Sequence, residues 1–391
     1  MRVRALVAIL AGFFVMGFCD ILGTVLNQVK AECELSDVAA GFLPSMIFIW
    51  FFVISIPTGI LCSKIGRKNT VLVSLAVTFA AMLLPQVADA SSWWLYAISF
   101  ALLGIGNTIM QASLPALMSN VVPPAKLPAR ISLGQFIKAI CAALTPVFVY
   151  VTATMLGNWK LIFPLYAILT CIVFFWIRMT GMPDERGDFS DRRPRPTSFA
   201  SCLAMLGNPY VLAMTLGIVF SVGADVGFAV SIPEFLKHVY KVDLNMAGMG
   251  PTVYFVAKTL AAMFGAIVFS RVSAAKCLPW CMGVGILATA AIFVAPNAWA
   301  FLACVSVAAL MTANSFGMCM GLAIARVPQK VNEISALMVM AIIGGAVVTP
   351  ALGYAQTALG IKGLLFVLIL CLAYLMVLGV FAAIAERKDA K

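Results

Sequence analysis

The sequence predicts an all-α membrane protein of about twelve spanning helices, arranged as two related halves of six. Three observations predict it. Of the 391 residues, 63% are hydrophobic and only 10% charged, whereas a soluble domain carries about 25% charged residues. Apolar runs of roughly 20 residues, the length that crosses a bilayer, recur with short polar punctuation, giving a mean hydropathy of +1.05. Several residues of the first half also return in the second at a nearly constant offset.

Runs bounded by Pro, Gly, Asn and charge place the first six spans near 5–28, 38–62, 69–87, 93–118, 131–155 and 161–180. The other six fall near 210–234, 247–270, 277–294, 298–325, 334–358 and 364–385. Met1 to Gly12 begins like a signal peptide, but no small-residue cleavage site follows, so it reads as an uncleaved first span. Between the halves, Gly181 to Asn208 is a polar linker carrying Asp184, Glu185, Arg186, Asp188, Asp191, Arg192, Arg193 and Arg195. The expected organisation is an N-terminal six-helix bundle at 1–180, a cytoplasmic linker at 181–209, and a C-terminal bundle with a short cytoplasmic tail at 210–391.

The net charge of +11 reports topology rather than a nucleic-acid partner. With the N-terminus cytoplasmic, nineteen of the 26 Lys and Arg residues fall on inside segments. Five (Lys30, Lys160, Lys237, Lys241 and Lys362) fall outside, and Lys138 and Lys258 lie within spans. The positive-inside rule then puts both termini in the cytoplasm, most naturally of a bacterial cell, across its inner membrane.

The repeat is read from matched pairs. Asp20 corresponds to Asp225, Ala40-Gly41 with Pro44 to Ala247-Gly248 with Pro251, Gly59 to Gly265, and Asn107-Thr108 to Asn314-Ser315. Parallel repeats about an axis along the membrane normal, with a solute site at their interface near the midplane, are a transporter architecture.

The segment Gly59-Ile60-Leu61-Cys62-Ser63-Lys64-Ile65-Gly66-Arg67-Lys68 resembles the loop signature of the major facilitator superfamily, with Ser63 where the pattern's acid usually stands. The resemblance implies that superfamily's fold, two six-helix halves related by pseudo-two-fold symmetry, with Gly59, Lys64, Gly66, Arg67 and Lys68 as the conformational loop. Three further segments are similar to the fucose permease-like sugar:proton symporter branch. They are Val222-Gly223-Ala224-Asp225-Val226, Met340 to Ala346 followed by Thr349-Pro350, and Gly104 to Thr108 through Pro115 with Gly134 to Lys138. The departures are an acid-free Ile109 to Gln111 where the branch has a glutamate, Asp20 one turn before the branch's aspartate near Gly23 or Thr24, and Lys138 in place of a neutral amide.

Ionisable side chains inside spans cost about 2.5 to 3.5 kcal/mol even on insertion scales, so they face a cavity or a partner. Asp20, Lys138, Asp225 and Lys258 lie in this position. Asp225 and Lys258 are each about eleven residues from the outer ends of their spans, a shared depth of about 16 Å at the helical rise. They read either as a structural salt bridge or as a proton-coupling site in which Lys tunes the acid, and both roles can coexist. Asp20 is the second coupling candidate. Asn27, Asn107, Gln111, Gln135 and Asn314, with Lys138 and Lys258, are candidate readers of a polar solute, because a sugar's hydroxyls need fixed donors and acceptors; each amide could instead bond a neighbouring helix. Trp93 and Trp94 read as an interfacial anchor, and His238 as a rim residue.

The eleven cysteines lie mostly in apolar runs, and Cys277 with Cys281 lacks zinc spacing, so neither a disulfide framework nor a metal site is expected. No phosphate-cradling loop is present. The expected function is non-enzymatic and cofactor-free: import of a small polar solute, a monosaccharide first, by a monomer using the proton gradient. A sugar acid or other small carboxylate is the alternative, followed by a membrane sensor without transport and a drug exporter.

Overall fold

With no water in a bilayer core to bond backbone N–H and C=O groups, a spanning segment must satisfy them internally, and the chain does so with helices. The computed structural model describes residues 2–20, 25, 28, 29, 32–34, 47, 49–89, 92–182, 198–242, 250–268 and 272–389. Regular structure among them is helical throughout. The first half contains α1 (Arg2–Met16), α2 (Ser55–Ile65), α3 (Arg67–Leu83), α4 (Trp93–Met118), α5 (Leu127–Thr154), α6 (Ile162–Met179) and the short α7 (Phe199–Ala204). The second contains α8 (Pro209–His238), α9 (Gly250–Val268), α10 (Ala274–Ala291), α11 (Ala298–Thr312), α12 (Ser315–Arg326), α13 (Val331–Met340), α14 (Gly344–Leu359) and α15 (Lys362–Asp389).

Nine segments among the described residues are long and apolar enough to cross a membrane. The apolar stretch Val3–Cys19, α2 and α9 stand at the other three expected positions, of which 5–28, 38–62 and 247–270 lie partly outside the described residues, so the count is roughly consistent with the twelve of the sequence reading. The fourth span coincides with α4 from end to end. Two expected spans are interrupted helices. The tenth breaks between α11 and α12 at 313–314, and the eleventh between α13 and α14 at a 3₁₀ turn, Ala341–Ile343. Gly344 and Gly345 follow that turn, and glycine costs about 1 kcal/mol against alanine inside a helix. Of the linker, 183–197 lies outside the described residues; α7 follows it, opened by a capping box between Ser198 and Ser201. Asn208 caps α8 by accepting from the N–H groups of Tyr210 and Val211.

The helices form two compact units. Unit 1 comprises 1–123, 134–205 and 327–340, and unit 2 comprises 124–133, 206–326 and 341–391. Each unit thus takes in a short piece of the opposite half. In unit 1, α3 packs on α4 and α6, α1 on α4 and α6, and α13 on α2, α4 and α7. Its core includes Tyr166, stacked on Phe18 at 3.9 Å and hydrogen-bonded to Thr145 at 2.7 Å. In unit 2, α8 is central and packs on α9, α12, α14 and α15.

Close approach of helices in unit 2 depends on missing side chains, as expected where small residues let backbones meet. A Cβ on Gly344 would collide with the Val219 backbone, one on Gly223 with Val348, and one on Gly345 would lie 2.8 Å from Val226. Gly353, on the same α14, has open space around it. Gly344→Ala is therefore expected to destabilise by about 1 to 3 kcal/mol through overpacking, while Gly353→Ala leaves stability unchanged or raises it by about 1 kcal/mol. Thermal unfolding of the detergent-solubilised variants measures the difference.

Candidate functional site

Unit 2 holds the acid that the sequence singles out, and surrounds it. Asp225 lies on α8 and Lys258 on α9, both partly buried with side chains 22% exposed, and they form an ion pair. The Tyr254 hydroxyl donates to Asp225 Oδ1 at 2.8 Å and lies 3.3 Å from Thr312 Oγ1. Tyr254 is fully buried, and Phe228 stacks on its ring at 5.0 Å. The Lys258 ammonium also sits 6.0 Å from the centre of that ring. One carboxylate thus has a cation on one oxygen and a phenol on the other. These contacts tie α8, α9 and α11 together.

Tyr254 was not found by sequence reasoning, although a signal existed. It stands four residues before Lys258, so the two share a helix face; an aromatic in an apolar run simply reads as core. A second polar contact it missed lies on α8 as well, where Ser221 meets Ser315 at 2.5 Å.

The repeat-related asparagines take different roles. Asn314, buried at the break between α11 and α12, donates to the Ala261 carbonyl at 3.1 Å against the bare face of Gly265. Its amide nitrogen is used to hold unit 2 together. In unit 1, Asn107 and Gln111 on α4 are 3% and 4% exposed, and Asn107 Oδ1, Gln111 Oε1 and Gln135 Nε2 have no hydrogen-bond partner among the described residues. An orphaned buried acceptor or donor costs about 1 to 3 kcal/mol. Trp50 Nε1 and the hydroxyls of Ser132, Ser231 and Ser335 are in the same condition among the described residues. Lys138, half-buried on α5, lies where its backbone carbonyl abuts Gly17. Asp20 ends the 3₁₀ turn Gly17–Asp20; its side chain, and Asn27, lie outside the described residues.

The loop between α2 and α3 is turned by Gly66 at φ +89°, a conformation that glycine adopts without strain. Gly59 is not in this turn. It lies on the face of α2 that meets Asn332 and Ala336 of α13, where a Cβ would come 2.7 Å from Ala336. Ser63 bonds back to the Ile60 carbonyl at 2.8 Å. The connections between helices are made by the basic residues. Arg67 donates to Asn332 at 2.8 Å, to Ser119 at 3.3 Å and to Asn120, and Lys68 donates to the carbonyls of Arg178 at 3.1 Å and Thr180 at 2.8 Å. Lys64 is exposed. Beside α13, burial and then Glu333 push the Cys202 thiol up to about 12, so it stays a neutral packing group.

A polar knot at the other end of unit 1 was also missed. Lys160 pairs with Glu32 at 2.6 Å and donates to the Ala88 carbonyl at 2.7 Å, while the Tyr96 hydroxyl donates to Glu32 at 3.2 Å. Trp93 and Trp94 are each 51% exposed, and His238 lies 3.4 Å from Glu234 at the end of α8.

The Major Facilitator Superfamily family profile matches residues 8–226, more than half of the chain. The chain belongs to the major facilitator superfamily. It is accordingly an integral membrane transporter rather than an enzyme. Among curated proteins, it is 24% identical over 405 residues to a glucose/galactose transporter of Brucella abortus, covering 97% of this chain and 94% of that one. Among solved structures, the E. coli fucose:proton symporter FucP aligns at TM-score 0.84 with 18% identity, covering 96% and 98% of the two chains. A bacterial homologue of the iron transporter ferroportin, in an outward-facing state, aligns at 0.77 with 14% identity, covering 98% and 99%. These likenesses support the fold.

Removing one member of a buried pair strands the other charge and costs about 3 to 5 kcal/mol, whereas replacing both is far less costly. Asp225→Asn and Lys258→Gln are each expected to lower the unfolding temperature, and the double substitution to recover most of the loss. A double-mutant cycle of thermal unfolding measures the coupling.

Proposed function

We propose that this transporter imports a neutral monosaccharide together with a proton by alternating access. The observation that carries the reading is the arrangement at Asp225. Its carboxylate has one cation, Lys258, and one phenol, Tyr254. Such an acid has two stable conditions: ionised and clamped, or protonated and released. A group of that kind couples a proton to a rearrangement of α8 against α9. Asp20 is the second proton-coupling residue in this proposal.

The orphaned amide atoms of Asn107, Gln111 and Gln135 support a solute rich in hydroxyls, which both donate and accept. Asn27 and Lys138 join them as solute-binding candidates, while Asn314 contributes through its helix-holding bond. The similarity to a glucose/galactose transporter and to a fucose:proton symporter supports the same substrate class. The energy source is the proton gradient, without a cofactor. The chain acts as a monomer in a bacterial inner membrane with both termini cytoplasmic, its halves 1–180 and 210–391 forming the moving bundles around the linker 181–209. The second reading is an anionic sugar acid, whose carboxylate Lys138 and Lys258 could bind.

Uptake into proteoliposomes tests the proposal. With the exterior one pH unit more acidic, one proton per sugar supports about tenfold accumulation of a neutral hexose. Asp225→Asn is expected to abolish accumulation while exchange of labelled for unlabelled sugar continues. Uptake of the uronate but not the hexose, lost in Lys138→Gln, would establish the second reading instead.

A further inference from the structure

At the end of unit 2 where α8 begins and α12 and α15 finish, a groove of about 330 Å³ opens between these three helices. It is lined by Asn208 and Tyr210 of the α8 start, by Arg326 at the last position of α12, and by Phe381, Ile384 and Ala385 of α15. Its two ends differ in chemistry. At one end the exposed Arg326 holds its guanidinium over the Tyr210 ring at 5.4 Å. The other wall is apolar: Phe381 tilts against Tyr210 at 5.8 Å, and Phe381 and Ile384 remain 42% and 50% exposed.

We propose that this groove is a binding site for an anionic phospholipid, its phosphate on Arg326 and an acyl chain along Phe381 and Ile384. The chemistry fits in three respects. A guanidinium presents a planar fork that matches a phosphate, and stacking on Tyr210 fixes its plane. The site stands at helix termini, the depth at which headgroups lie, with Arg387 also exposed one turn beyond the groove. The neighbouring acid, Glu386, accepts from the Ser273 hydroxyl at 2.9 and 2.7 Å. The α8 N-terminus itself contributes no open donors at Tyr210 and Val211, because Asn208 takes both N–H groups. A water-soluble phosphate compound would use the arginine but gain nothing from a lipid-facing aromatic and aliphatic wall. Basic pockets between spanning helices bind anionic headgroups in the same way, each Lys or Arg contributing a modest attraction. The proposal is independent of which solute the protein carries.

Native mass spectrometry of the delipidated, detergent-solubilised full chain tests this, with phosphatidylglycerol, phosphatidylcholine and inorganic phosphate as separate probes. Phosphatidylglycerol is expected to be retained about fivefold better than phosphatidylcholine, and inorganic phosphate is not expected to displace it. Arg326→Gln should remove the preference, and Ala385→Trp, which fills the apolar end and leaves the arginine in place, should remove it too. Arg387→Gln should leave it intact. Equal retention of the two lipids by the unaltered chain, or a preference that survives both Arg326→Gln and Ala385→Trp, overturns the proposal. Displacement by inorganic phosphate overturns the assignment to a lipid, and an equal loss in Arg387→Gln reduces the site to diffuse surface charge. Thermal unfolding of each variant, run alongside, separates loss of the site from loss of the fold.

Discussion

A carboxylate in a bilayer has neither water nor mobile counter-ion to stabilise it, so whatever neutralises it must be built into the protein. Asp225 illustrates how far that requirement reaches. Lys258 supplies the charge and must lie at the same depth on the next helix. Tyr254 supplies the second hydrogen bond and must be buried to reach it, which requires Phe228 to support its ring and Thr312 to meet its hydroxyl. Four helical positions are therefore fixed by one acid. Removing either partner strands the other's charge, so the cluster stands or falls as a unit.

The second constraint is distance. α8 touches α9, α12, α14 and α15, and a helix with four neighbours cannot present bulky residues on every side. Gly223 admits Val348, and Gly344 and Gly345 bring α14 against Val219 and Val226. Dispersion between closely packed backbones is the main attraction left to helices in lipid, where no hydrophobic difference separates a neighbour from an acyl chain. The glycines beside Asp225 thus place the acid and its surroundings together.

The sequence makes the membrane class and the positions of most spans legible because these depend on local composition and length. α4 begins at Trp93 after a pair of serines and ends before Ser119-Asn120, and the apolar run ends with it. The depth match of Asp225 and Lys258 is legible for the same reason, since helical rise is a constant. What stays hidden is everything decided by a neighbour. The break at Ala341–Ile343 lies inside an apolar run, and the one at 313–314 stands where Asn314 bonds the Ala261 carbonyl of another helix. Asn107 and Asn314 are a matched pair in sequence, yet one is spent on a backbone carbonyl and the other is not. No residue type distinguishes them; their surroundings do.

The make-up of the two units has a consequence for biosynthesis. Unit 1 is completed by 327–340, and its α2 presents the bare flank of Gly59 to Asn332 and Ala336. A ribosome delivers α2 long before α13, so for most of translation that flank has no protein beside it. Arg67 likewise waits for Asn332, although Ser119 and Asn120 are made early enough to hold it meanwhile. The first half can therefore insert into the membrane as it emerges, but it becomes a finished packing unit only when the eleventh span arrives, near the end of synthesis.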